Sequence, residues 1–212
     1  TEATCAGVNE VSSTLTWLGG TSTLKHLWLA PFSLHKQVLR AIRNETQHAR
    51  DGKKGRIIAK MNALLDPETI DALYDASRAG VQIDLIVRGM CALKAGIPGV
   101  SENIRVRSVV GRFLEHSRVF YFHNDGAEDV YLSSADWMER NFFRRVEICF
   151  PILDPQLKKR VINEGLKPYL ETDGQAWKMG RDGEYHVEAP QEGGRVVAQE
   201  TLLKLLAQRA SA

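Results

Sequence analysis

Long apolar runs are missing from this chain of 212 residues: none approaches the roughly 18 residues that a membrane-spanning helix requires. Cysteine is scarce. Cys5, Cys91 and Cys149 lie far apart, with no Cys-x-x-Cys pair and no metal spacing, which argues against structural zinc and for a reducing, cytoplasmic setting. No GxxxxGK[ST] is present, so the chain is not a P-loop kinase, and no GxGxxG suggests a dinucleotide site. The opening TEATCAG has neither a basic n-region nor an apolar h-region, so it is not a signal peptide. A chain that starts at Thr1 is expected to be a processed protein or a piece of a longer one. Repeats and low-complexity tracts are absent too, and a net charge of only +2 says little by itself.

What is there suits one α/β domain with a small C-terminal appendage: 43% apolar and 25% charged residues are ordinary globular values. Residues 8 to 18 read as a helix, and residues 24 to 30 as a strand. Ser33 is placed to cap a helix to about Arg50, with Leu34, Val38, Leu39 and Ile42 on one face. GRIIAKMN, residues 55 to 62, is a buried strand. Asp66-Pro67 opens the next helix, and Gly80 ends it. VQIDLIV, residues 81 to 87, follows as a strand, so this unit predicts a parallel pair with a right-handed crossover. A long loop then runs from 88 to 103, and long loops in compact domains are more often functional than idle. Further strands are expected near 103 to 110 and 144 to 152, with a hairpin of RVFYFHN and DVYLSSA between them. A helix from Asp154-Pro155 to about Leu170, a short hairpin at 175 to 187 and a terminal amphipathic helix complete the pattern.

Charge is more telling by its distribution. Between Arg88 and Arg118, the cations Arg88, Lys94, Arg105, Arg107, Arg112 and Arg118 face only Glu102 and Glu115. A second basic group follows at Arg140, Arg144 and Arg145. Single residues of this kind are ordinarily solvated surface, but arginine predominates here, and its planar fork matches phosphate oxygens. Arg88 directly follows a strand of the parallel unit, where open α/β sheets bind ligands. Lys60 and Asn62 end the preceding strand and are expected at the same edge. Ser133, Ser134, Asp136 and Asn141 can supply hydrogen bonds there, although Asp136 is equally suited to cap a helix; Trp137 suits the core. His116, in GRFLEHSRVFYF, lies beside a glycine and two arginines, and phosphoryl chemistry needs a nitrogen base close to fixed positive charge. His26, His35, His48, His123 and His186 read as structural or solvent-exposed.

The stretches RIIAKMNALLDPETIDALYDASRAGVQIDLIVRG, GIPGVSENIRVRSVVGRFLEHSRVFYF and YLSSADWMERNFFRRVE resemble polyphosphate kinases of the bacterial histidine-phosphorylating type, over most of residues 8 to 180. The resemblance implies a phospholipase D-like mixed α/β sheet flanked by helices on both faces. It implies an inter-domain link at residues 1 to 20, the second of two catalytic domains at 21 to 190, and a C-terminal helix at 191 to 212. His116-Ser117-Arg118 and the SSADW segment look like this fold's His-x-Lys and Gly-Ser-x-Asn elements. Arginine replaces the lysine, and the usual aspartate after the first motif is out of place, which argues against an ordinary phosphodiesterase.

The implied reaction is transfer of the γ-phosphate of ATP to polyphosphate through a phosphohistidine on the preceding domain. That domain is not in this sequence, so the isolated chain is expected to be inactive alone. The expected catalytic residue is His116. The expected ATP- and phosphate-contacting residues are Arg88, His116, Arg118, Lys60 and Asn62. No residue is assigned to a protein-held metal site, and Mg2+ is expected in the intact enzyme. Expected partners are ATP or ADP, polyphosphate, the preceding domain and, in the intact enzyme, further copies of itself, with no nucleic acid. Peripheral association with a membrane is left open. Competing readings are a phospholipase D-type phosphodiesterase half and a non-catalytic polyanion-binding module.

Overall fold

Alternation along the central strands decides the architecture. In the computed structural model, which describes residues 27–173, 175–187 and 197–210, the chain begins with β1 (Trp28–Ala30), α1 (Leu34–Arg50), β2 (Arg56–Met61), α2 (Pro67–Arg78) and β3 (Gln82–Val87). Next come β4 (Ile104–Val109), β5 (Arg118–Phe122), β6 (Asp129–Ser133), α3 (Glu139–Phe143) and β7 (Glu147–Pro151). The last elements are α4 (Pro155–Gly165), α5 (Lys167–Glu171), β8 (Ala176–Met179), β9 (Tyr185–Val187) and α6 (Ala198–Ala210). The helix expected at 8 to 18, the link at 1 to 20 and the boundary near 190 lie outside the described residues.

Ile57, Ala59 and Met61 of β2 and Ile83, Leu85 and Val87 of β3 pack in one apolar layer under α1 and α2, with Leu34, Val38, Ile42, Ile70 and Leu73. Ile58 and Ile86 point the other way, into a second layer formed with Leu166, Tyr169 and Ala198 around α4, α5 and α6. Side chains two apart share a face, so strands apolar on both faces need a cover on each side. The result is a mixed α/β sheet between two helical layers. Among the described residues its strand order is β1-β7-β6-β5-β2-β3-β4-β8-β9. β2, β3 and β4 are parallel, β5 is antiparallel to β2, and β5 and β6 form the expected hairpin.

Three local expectations are corrected. The stretch from 155 to about 170 is two helices: it breaks at Leu166, and Pro168 sits in the first turn of α5, where its missing N–H costs nothing. Ser33 precedes α1 without capping it; its Oγ accepts from Leu29 N instead, at 3.1 Å. Asp136 caps no helix, since α3 starts after Met138. Asp66 does cap α2, accepting from Thr69 N at 2.9 Å, with Pro67 at the first helical position. His35 is structural: it is buried, bonded to Asp66 at 3.0 Å and packed against the rings of Phe142 and Phe143.

Part of the first basic group serves the fold. Arg107 Nη1 donates to the carbonyls of Tyr169 and Leu170, tying β4 to α5. Arg56 and Arg105 both pair with Asp84, which is buried. Burial pushes the Asp84 carboxyl upward, but the hydrogen bond from Arg105 and the charges of Arg56 and Arg105 outweigh it, so the net shift is downward. A carboxylate whose folded pKa lies below its unfolded value stabilises the fold above that unfolded value, about 3.9 for aspartate. It loses the contribution as pH falls through the folded value. Asp84→Asn is therefore expected to cost about 2–4 kcal/mol at pH 7, with the deficit shrinking as pH drops below about 4. Urea denaturation of both proteins at pH 7 and pH 3 checks this; a deficit equal at the two pH values would refute it.

Candidate functional site

The parallel strands β2, β3 and β4 end at one edge of the sheet, and this is where β5 begins and β6 ends, because Lys60 pairs with Val119 and Arg118 with Ser133. Lys60, Asn62, Arg88, His116, Arg118 and Asp136 are thereby brought to one edge, although 76 positions separate the first from the last. The connecting loops are sewn together beneath them. Leu64 N donates to Met90 O at 2.9 Å, Ala92 N donates to Leu64 O at 2.9 Å, and Leu65 N and Asp66 N both donate to Trp137 O. Trp137 itself is core, against Phe120.

Asp136 is the hub. It is 5% exposed and accepts four hydrogen bonds. Two come from Arg118 in a forked pair, Nε to Oδ1 at 3.1 Å and Nη2 to Oδ2 at 2.9 Å. Two come from Asn62, its backbone N at 2.7 Å and its Nδ2 at 3.3 Å. Asn62 turns its Oδ1 the other way, to accept from Arg88 Nε at 2.9 Å. Arg118 Nη1 reaches His116 at two atoms, the carbonyl at 2.8 Å and ring Nδ1 at 2.7 Å. A guanidinium only donates, so Nδ1 accepts, and the hydrogen-bond network assigns the ring proton of neutral His116 to Nε2.

A continuous chain thus runs Arg88–Asn62–Asp136–Arg118–His116. Its inner members are occupied with one another. At its two ends, the terminal nitrogens of Arg88 and Nε2 of His116 have no partner among the described residues. His116 is exposed and Arg88 half-buried, so both are open to a ligand.

Lys60 lies deeper. It is 3% exposed, and its Nζ donates to Glu115 Oε2 at 2.8 Å and to Ser117 Oγ at 2.6 Å, over the ring of Tyr169. Burial lowers the Lys60 pKa, and the pairing with Glu115 only partly offsets this. Burial also works to raise the Glu115 carboxyl, but the hydrogen bonds from Lys60 and Gln199 reverse it, and Glu115 ends below the usual carboxylate range. Of the residues around the site, Glu115 counted in the sequence only as a charge, and Gln199 carried no signal. Ser133 and Ser134 lie beside β7: Ser133 Oγ donates to Ile148 O, and Glu147 takes hydrogen bonds from Ser134 and Asn141. Among the described residues no group of three or more His, Cys, Asp or Glu could hold a metal ion. Glu115 and Asp136 are both held by cations, Lys60 and Arg118.

The family profile described as polyphosphate kinase C-terminal domain 2 matches residues 27–199. The chain belongs to that family. It is 61% identical over 181 residues to a polyphosphate kinase of Burkholderia lata, covering 85% of this chain and 26% of that protein. It is 57% identical over 191 residues to one of Paraburkholderia phytofirmans, covering 90% and 28%. The crystal structure of the polyphosphate kinase of Porphyromonas gingivalis superposes with a TM-score of 0.90 at 35% identity, over 96% of this chain and 31% of that one. This polyphosphate kinase domain therefore spans about a quarter of the length of its curated relatives. The edge that gathers Arg88, Asn62, His116, Arg118 and Asp136 lies wholly inside the matched span.

Proposed function

We propose that this domain holds the phosphates of ATP and polyphosphate while the γ-phosphate passes reversibly between them, through a phosphohistidine on the preceding catalytic domain of the intact enzyme. What supports the reading is the single chain of hydrogen bonds from Arg88 to His116, with a donor left open at each end. Arg88 is the direct phosphate ligand in this reading. Its Nε rests on Asn62, and its free fork suits phosphate oxygens. His116 donates a hydrogen bond from Nε2 to a phosphate oxygen. Asn62 and Arg118 orient these two groups, and Lys60 anchors the 111–117 loop through Glu115 and Ser117; phosphate contact by Arg118 and Lys60 is secondary. Phosphoryl transfer between two polyanions brings negative charge together, and preorganised donors relieve that most in the transition state. Magnesium, in this reading, travels with the nucleotide phosphates rather than being held by this domain.

The test uses the 212-residue chain itself. It is expected to bind polyphosphate weakly, with affinity falling as salt rises, by extension from nucleic acids. Arg88→Gln is expected to weaken binding by about 10-fold. Incubated with ATP, the chain alone is expected to form no polymer, since the covalent step has no nucleophile. Absent or salt-independent binding would sink the anion site. Robust ATP-dependent polymerisation by residues 1 to 212 would sink the assignment of the phosphohistidine to another domain.

A further inference from the structure

The loop that carries His116 is not held by its own apolar residues. Phe113 is 46% exposed and Leu114 71% exposed, so neither anchors it in the core. Its hold is polar and comes from two sides. From β2, Lys60 grips Glu115 and Ser117. From α6 comes Gln199, a 7% exposed residue whose carboxamide makes three hydrogen bonds to the loop. Phe113 N donates to Gln199 Oε1 at 2.9 Å, and Gln199 Nε2 donates to Phe113 O at 2.8 Å and to Glu115 Oε1 at 2.7 Å. The first two mimic the exchange between paired strands, so one side chain does for this loop what a neighbouring strand does elsewhere. The loop has also made room for it: a Cβ on Gly111 would stand 2.5 Å from Gln199 Oε1.

We propose that Gln199 is a positioning residue for His116, acting through the Phe113 backbone and Glu115 to fix the loop from which the imidazole meets phosphate. The inference rests on the reading of His116 as a phosphate-contacting group. It gives the C-terminal helix a part in the site, as the second jaw of a clamp whose first jaw is Lys60. Ala198 N donates to Thr172 Oγ1 at 2.9 Å, which seats the first turn of α6 on the segment after α5 and sets the depth to which Gln199 reaches.

The experiment compares the full chain with Gln199→Ala, Gly111→Ala and the double variant. The readouts are affinity for inorganic triphosphate, the ring 15N shifts of His116, exchange of the Phe113 amide, and thermal melting. Gln199→Ala is expected to keep the fold but weaken triphosphate binding roughly 10-fold, a scale typical of removing an orienting contact. It should also speed exchange at Phe113 and shift the His116 ring signals away from the Nε2–H pattern. Gly111→Ala pushes the carboxamide out from the other side, so it should reproduce these changes, and the double variant should be no worse than either single one. Melting separates loss of fold from loss of position. If Gln199→Ala unfolds the chain, Gly111→Ala carries the test alone. Wild-type binding with unchanged affinity and unchanged His116 signals in both folded single variants would overturn the role of Gln199 and leave the proposed function standing. Failure of the wild-type chain to bind triphosphate would overturn both.

Discussion

Asp136→Ala is expected to cost about 3–5 kcal/mol of folding stability and to abolish triphosphate binding in whatever remains folded. The magnitude follows from where the carboxylate sits. Its side chain is 6% exposed and that of Arg118 10%, so the pair is largely out of water. Removing only the anion leaves a buried guanidinium with no counter-charge and the Asn62 N–H with no acceptor, and each is an unmet demand in a low-dielectric setting. Asp136→Asn is expected to fall between wild type and alanine. The amide oxygen can still accept from Asn62 N and Arg118 Nε, but the amide nitrogen meets Arg118 Nη2 donor to donor. Urea unfolding of the three proteins measures the series. A loss under about 1 kcal/mol for Asp136→Ala would mean that the buried pair is not the keystone of this edge.

Arg118 stands where the resemblance expected lysine, and Asp136 was read as a hydrogen-bonding group at the same edge. They turn out to be each other's partners, at 2.9 and 3.1 Å. An aspartate beside an arginine leaves a neutral, rigid pair whose spare Nη1 is directed at His116. The pair fixes the ring of His116, while Arg88 uses only its Nε, on Asn62.

Much of this was legible from residues alone, and the rest was not, for reasons that can be named. Strand periods and glycine and proline punctuation carried β2, α2, β3 and the β5–β6 hairpin to within a residue or two, because both faces of those strands are apolar and short-range rules suffice. Arg88, Asn62 and His116 were legible as an edge, since strand ends are set by the same periodicity. Asp136 was legible as a hydrogen-bonding group there, but the specific pairings were not. Asp136 lies 74 positions from Asn62, and Gln199 lies 84 from Glu115; those contacts exist only once the sheet is closed. The five-residue α3 was hinted at only by Asp136 as a candidate cap, and its start was not legible because it is too short to show a period and has no side-chain cap. Charge counting also misled in part. Arg105 and Arg107 looked like members of an anion site, yet they are engaged by Asp84 and by carbonyls at the end of α5.

His116→Ala should separate chemistry from stability more sharply than any other change at this edge. The imidazole is exposed, and its described partners are atoms of Arg118, which keeps its forked bond to Asp136 when the ring is gone. The expected loss of folding stability is therefore within about 0.5 kcal/mol, the usual range for an exposed position. In a full-length polyphosphate kinase carrying this domain in place of its own, turnover should nonetheless fall about 100-fold or more, the scale of losing one positioned transition-state donor. Arg118→Lys supplies the contrast. A lysine is one point charge without a fork, so it cannot hold Asp136 by two bonds and His116 at the same time. That variant should keep the net charge of the edge but lose polyphosphate affinity about as Gln199→Ala does, while turnover drops toward the His116→Ala level because the ring is no longer held with Nε2–H outward. Steady-state kinetics on the two full-length variants, with urea unfolding of the same substitutions in the isolated chain, decide it. Near-normal turnover with His116→Ala would remove the histidine from the reaction, and near-normal turnover with Arg118→Lys would show that charge alone, without the orientation of His116, suffices at this edge.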